Sequence, residues 1–209
     1  MRATHSVGSI FGTRSRVQVL RVLQGVRIPL NTSQIASRVK LSWPAVATAL
    51  DELASMGIVQ SNTVGRTWVH QLVRGNVYVQ RIVDPVFLAE QEIPELMEEY
   101  LRDSFGEHAV SIVLFGSYAR EEQDETSDVD VVLVGKDAGE KAALDAEFDA
   151  RISEFYEKFG ATLSPLIYDM SEAAGLWERA PALLASLKED GVVVSGLRPM
   201  EWRSHGQGG

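Results

Sequence analysis

No cysteine occurs among the 209 residues, which removes disulfide scaffolds, thiolate metal sites and cysteine nucleophiles together. No apolar run reaches the roughly 18 residues that a bilayer crossing needs, and the first seven residues have no apolar core of the secretory kind. These absences lead to the expectation of a soluble, cytoplasmic protein with no membrane partner. GxxxxGKS/T, HExxH and GxSxG are all absent, so P-loop, zinc-protease and hydrolase chemistry have no footing. Acid is also scarce in the first 80 residues, where nine Lys or Arg face only Asp51 and Glu52, a balance of +7. Residues 81–209 carry 27 acidic and 11 basic side chains, a balance of -16, so the overall -9 conceals a split. That asymmetry points to two domains facing different partners. With 45% hydrophobic and 23% charged residues, the chain can bury a core in each.

In the basic part, Val17 and Leu20, with Val19 and Leu23 as further candidates, share a helical stripe that starts at Arg14 and stops at Gly25. Thr32 and Ser33 would cap a second helix through Val39, burying Ile35, Ala36 and Val39. Ser42 would cap a third, with Pro44 in the first turn, where a missing N–H costs nothing. Val46, Ala49, Leu50, Leu53 and Met56 recur along it at steps of three and four, and Gly57 closes it. Two strands, near 58–62 and 66–72, meet at a turn of Val64 and Gly65. Three helices, the last two joined at Lys40 and Leu41, followed by a hairpin, resemble the winged helix-turn-helix domain of bacterial and archaeal regulators. The resemblance implies double-stranded DNA as a partner, with the third helix in the major groove and the hairpin on the backbone or minor groove. It turns Ser42, Trp43 and Thr48 outward and assigns Arg38, Lys40 and Arg66 to phosphates. The third helix offers no Arg, Asn or Gln in its exposed first turns, so the usual bidentate base readers are missing. The same fold also serves as a protein-interaction or dimerisation module. His70, on the second hairpin strand, reads as a half-buried structural residue.

A connector over 81–108 has apolar residues at helical spacing on an acidic background, interrupted at Pro94. Beyond it, 110–115 is an apolar, β-branched strand followed by Gly116-Ser117-Tyr118-Ala119-Arg120, a small-residue turn that opens a helix. A second strand over 128–134 sets Asp128 and Asp130 on one face, because strand residues two apart share a side. Two carboxylates on a rigid strand, opposite a helix N-terminus, suit a divalent cation and phosphate. Helices over 138–159 and 181–189 and a last strand over 191–196 follow, and 197–209 reads as a flexible tail.

Gly116-Ser117, with its spacing to Asp128-Val129-Asp130, resembles the signature of minimal nucleotidyltransferases of the DNA-polymerase-β-like superfamily, over roughly 95–196. The resemblance implies that Gly116 and Ser117 bind the phosphates of a nucleoside triphosphate, ATP foremost. It also implies that Asp128 and Asp130 are catalytic and hold Mg²⁺, and that Arg120 reaches a phosphate. In that family the nucleotidyl group goes to a small molecule or to a protein, including a partner toxin in toxin–antitoxin pairs. Two departures stand out. Glu121 occupies a position where many relatives have Gly, and the later strand near 161–168 carries no third acid. Ser164 stands where that acid is expected, and Asp169 would serve only in a shifted register.

The expected fold class is therefore an α/β (α+β) two-domain protein. A winged helix over 1–80 and a connecting helix over 81–108 precede a mixed sheet flanked by helices over 109–196. The expected function is a DNA-binding transcriptional regulator, homodimeric by default on two-fold operators, with a Mg²⁺- and nucleotide-binding transferase domain. The alternative is a non-catalytic factor that uses this domain as a nucleotide sensor or assembly module.

Overall fold

Two sheets organise the chain, in a computed structural model that describes residues 5–116 and 128–206. The chain divides into two units, Met1–Ile93 and Pro94–Gly209.

The N-terminal unit runs α1 (Val7–Phe11), α2 (Arg14–Gln24), β1 (Leu30–Asn31), α3 (Thr32–Val39), α4 (Trp43–Ser55), β2 (Val59–Val64) and β3 (Thr67–Leu72). Its antiparallel sheet has the order β1-β3-β2, so the element order is that of a winged helix. Leu20, Leu23, Ile35, Val46, Leu50, Leu53 and Ile58 form the core. α3 is capped by Asn31 rather than by Thr32 or Ser33. The Asn31 side chain accepts from the Gln34 amide while the Gln34 side chain accepts from the Asn31 N–H. This reciprocal pair satisfies two otherwise orphaned donors.

The corner between α3 and α4 turns at Lys40, whose φ of 54° makes it the one non-glycine residue with positive φ among those described. Arg74 ties the end of α2 to the rest of the unit. It donates to the carbonyls of Leu23, Gln24 and Val26 and to the Asp84 carboxylate at 2.9 Å.

A π-helical turn, Val79–Val83, leads into α5 (Asp84–Phe105). Val79, Val83 and Phe87 belong to the N-terminal core, whereas Met97, Leu101 and Phe105 belong to the core of the C-terminal sheet. The two units consequently divide inside the helix, not at its start. Pro94 lies within α5 and does not end it, contrary to expectation. Proline removes one N–H from the ladder. Residues 88–96 are all exposed, so water can take up the carbonyl left over.

In the C-terminal unit, β4 (Ala109–Phe115), β5 (Val129–Gly135), α6 (Ala138–Phe159) and β6 (Leu163–Asp169) are followed by α7 (Met170–Ala174), α8 (Leu176–Arg179) and α9 (Pro181–Glu189). β7 (Val192–Gly196) and α10 (Trp202–His205) complete it. The sheet order is β6-β5-β4-β7. β5 and β6 are parallel and joined through α6, while β4 pairs antiparallel with β5 and β7. Alternate residues face opposite layers. Ile112, Leu114, Val131 and Leu133 pack with α5 and α6, and Val113, Val132 and Val134 pack with α7 to α10.

The flexible tail expected after Leu197 is instead folded through His205. Trp202 is fully buried, and its Nε1 donates to Ser111 Oγ at 3.1 Å while that hydroxyl donates to the Leu197 carbonyl at 2.6 Å. A segment that ends in Gly206, Gly208 and Gly209 concealed one large aromatic that fills the second face of the sheet.

Candidate functional site

Asp130 sits on β5, one strand in from the sheet edge, paired with Phe115 of β4 on one side and Ser164 of β6 on the other. Asp128 and Asp130 share the face of Val132 and Val134, as strand alternation requires. Asp128 is exposed and Asp130 half-buried. Ser164 Oγ donates to Asp128 Oδ2 at 3.3 Å, so the serine stands beside the carboxylate pair, where the third acid was sought. Asp169 pairs with Gly135, five residues further along the same parallel register. Its side chain caps α7 by accepting from the Glu172 amide at 2.8 Å. A strand rise of about 3.3 Å per residue puts it far from Asp130, and it takes no part in the pair.

Gly116 follows β4 with a φ of +74°. A Cβ there would overlap Asp130 Oδ2 and lie 3.1 Å from Asp130 Cγ. Glycine lets the backbone sit against this carboxylate, which any Cβ would displace. Ser117 and Arg120, with Glu121, fall outside the described residues. Among the described residues no group of three or more His, Asp or Glu side chains is poised around one metal position.

In the N-terminal unit, α4 and the β2–β3 hairpin enclose a groove of about 760 Å³. Trp43 and Ala47 of α4 line one wall, and Arg66 and Trp68 of the hairpin line the other. His70 lies deeper, its Nε2 3.0 Å from Thr32 Oγ1 and its Nδ1 2.8 Å from Ser61 Oγ. Burial lowers the His70 pKa below the ordinary imidazole value of 6.5, with the nearby Asp51 charge opposing. Ser42, Trp43, Thr48, Arg38, Lys40 and Arg66 are all exposed. Three other basic residues are engaged internally. Arg16 pairs with Glu52 at 3.0 Å, Arg21 with Glu90 at 2.6 Å, and Arg74 with Asp84. The +7 balance therefore overstates the charge available to a partner.

Residues 95–194 match the family model described as nucleotidyltransferase domain. The chain contains a nucleotidyltransferase domain. Its carboxylate strand and Gly116 lie inside the matched segment. A protein of Methanocaldococcus jannaschii provisionally named a protein adenylyltransferase is 33% identical over 85 residues, spanning 38% of this chain and 57% of that relative. The chain thus matches little more than half of that relative's length.

Solved structures with weaker likeness include a homodimeric winged helix-turn-helix DNA-binding domain of Mycobacterium bovis, provisionally assigned to the ArsR family. It is 19% identical with a TM-score of 0.35, over 46% of this chain and 95% of that one. ZitR of Lactococcus lactis is 19% identical with a TM-score of 0.34, over 50% and 68%. A toxin–antitoxin structure with AMP-PNP is 18% identical with a TM-score of 0.32, over 56% and 81%.

The geometry thus brings Gly116, Asp128 and Asp130 together in the nucleotidyltransferase domain and adds Ser164 to them. It places Trp43 and Arg66 on one groove of the winged helix, with Trp68 as a third member not anticipated from sequence. Trp68 shares strand parity with His70, a signal that could have marked it as facing α4.

Proposed function

We propose that the chain is a DNA-binding transcriptional regulator whose nucleotidyltransferase domain binds Mg²⁺ and a nucleoside triphosphate, ATP foremost, and transfers the nucleotidyl group to a hydroxyl of a protein acceptor. The seat of Gly116 against Asp130, with Asp128 on the same strand face, carries this reading. Mg²⁺ is commonly held by one or two carboxylates plus substrate phosphates and water. Asp128 and Asp130 therefore fit a single phosphate-chelated ion. When bound, that ion offsets the triphosphate charge and stabilises the departing pyrophosphate. The glycine leaves room for the backbone to approach the phosphates, and Ser117 and Arg120 are assigned to the same anion by family resemblance.

In the transfer, the acceptor oxygen bonds to the α-phosphorus, the α–β anhydride bond breaks and pyrophosphate leaves. The hydroxyl proton passes to solvent, since Ser164 stands where a carboxylate would receive it. The protein acceptor is favoured by the name of the Methanocaldococcus relative.

Ser164 also favours a second reading, in which the domain senses a nucleotide without turnover. Incubation with α-labelled ATP, Mg²⁺ and candidate acceptors separates the two. Label transfer that Asp128→Ala abolishes supports catalysis. Mg²⁺-dependent ATP binding without transfer selects the sensor, and absence of binding overturns both.

The DNA half rests on the exposure of Arg38, Lys40 and Arg66 around α4 and the hairpin, with Trp43 and Thr48 on α4 and Ser42 at its N-cap. In this proposal the protein acts as a cytoplasmic homodimer. Mobility shifts on long duplex at low salt test it. Salt-sensitive association weakened by Arg66→Ala is the expected result, and no association at low salt overturns it.

A further inference from the structure

We infer that the groove between α4 and the hairpin is a nucleobase site, binding an unpaired base by stacking and its phosphate through Arg66, separate from the triphosphate site of the transferase domain. Its volume of about 760 Å³ lies within the usual range of about 300–1,000 Å³ for small-molecule sites. Trp43 and Trp68 are 56% and 57% exposed, yet both line this one cavity. Large aromatics left half in water on facing elements offer π-faces to a flat ring and contribute little to the core. Ala47, Leu50 and Ala54 add apolar lining.

The polar groups narrow the ligand class. Arg66 is a permanent cation suited to a phosphate oxygen. Asp51 also lines the groove, and an ionised carboxylate only accepts, so it matches a ring edge bearing N–H donors. A hydrocarbon ligand would leave both charges unanswered. A base with exocyclic amino or ring N–H groups and a phosphate answers both. Bases inside a duplex are stacked on one another, so the base must come from a free nucleotide or from an unpaired strand. Trp43 and Arg66 also belong to the proposed duplex-binding face. Occupancy should therefore compete with duplex DNA, and that corollary alone rests on the DNA reading.

The test uses the full chain carrying Asp128→Asn and Asp130→Asn, with chelator present, so that the transferase site is silenced. The indole N–H resonances of Trp43 and Trp68 are followed during titration with GMP, AMP, ribose 5-phosphate and a single-stranded oligonucleotide. Saturable shifts of both resonances with GMP or with the oligonucleotide, but not with ribose 5-phosphate, are expected. Whichever of the two binds tighter identifies the source of the base. Trp68→Leu should weaken binding roughly tenfold to a hundredfold, the size of a lost base–aromatic stack, and Arg66→Ala should weaken GMP binding while guanosine, which lacks the phosphate, binds the two chains alike. Both side chains are exposed, so neither change threatens folding. The proposal is overturned if neither resonance moves at millimolar ligand, or if ribose 5-phosphate shifts them equally.

Discussion

Replacing Gly116 by alanine isolates what the backbone does at the carboxylate pair. Two costs are involved. The φ of +74° lies in the left-handed region, where an L-residue costs about 1–2 kcal/mol. The new methyl would also overlap Asp130 Oδ2 and sit 3.1 Å from its Cγ, and relief of such crowding costs about 1–3 kcal/mol. Gly160, the left-handed cap of α6, provides the control. Its φ is +66°, and a Cβ there would meet nothing within 4 Å. Gly160→Ala should therefore lose about 1–2 kcal/mol, and Gly116→Ala about 2–5 kcal/mol. Urea unfolding of the full chain, followed through the buried Trp202 indole resonance, reports this unit in both variants. Mg²⁺-dependent ATP binding should survive Gly160→Ala and fail in Gly116→Ala, because Asp130 must rotate away to admit the methyl. Equal destabilisation of the two variants, with ATP binding retained in both, would show that Gly116 does not seat the Asp130 carboxylate.

Four further outcomes follow from the same structure. Ser164→Asp places a third carboxylate beside Asp128; without metal the repulsion should lower the melting temperature, and Mg²⁺ should restore it and bind more tightly than in the unaltered chain by calorimetry. Trp202→Ala should cost about 3–5 kcal/mol in chemical denaturation, and deletion of residues 197–209 should destabilise comparably. Lys40→Gly relieves the left-handed corner and should stabilise the fold by about 0.5–1 kcal/mol, while a salt titration of duplex binding loses about one unit of slope. His70 has a folded pKa below 6.5, so the unfolded chain binds the proton first. Its contribution is complete above pH 6.5 and declines as pH falls below that value; thermal melts across that window should lose this dependence in His70→Gln.

Much of the architecture was legible because it depends on short-range periodicity. The apolar steps of three and four marked α4 and α6 within a residue or two, and strand alternation set Asp128 and Asp130 on one face. Cap chemistry was less legible. Thr32 and Ser33 look as suitable as Asn31 until the Gln34 side chain is seen to complete the box. Pro94 looked like a break, because sequence does not show that residues 88–96 stay in contact with water. Trp202 looked like part of a tail, since nothing near it in sequence predicts a cavity opposite Ser111.

The charge division, Gly116 and the paired aspartates are readable from residue order alone: the first is a count along the chain, and the other two lie within about fifteen neighbouring residues. Tertiary structure alone decided the rest. The parallel register put Ser164, and not Asp169, beside the pair. The close approach of Gly116 to Asp130 leaves no room for a Cβ while that carboxylate holds its position. The facing of α4 and the hairpin gathered Trp43, Arg66 and Trp68 into one groove. These are distances between segments remote along the chain, and they are fixed by strand pairing and core packing, which no local pattern encodes.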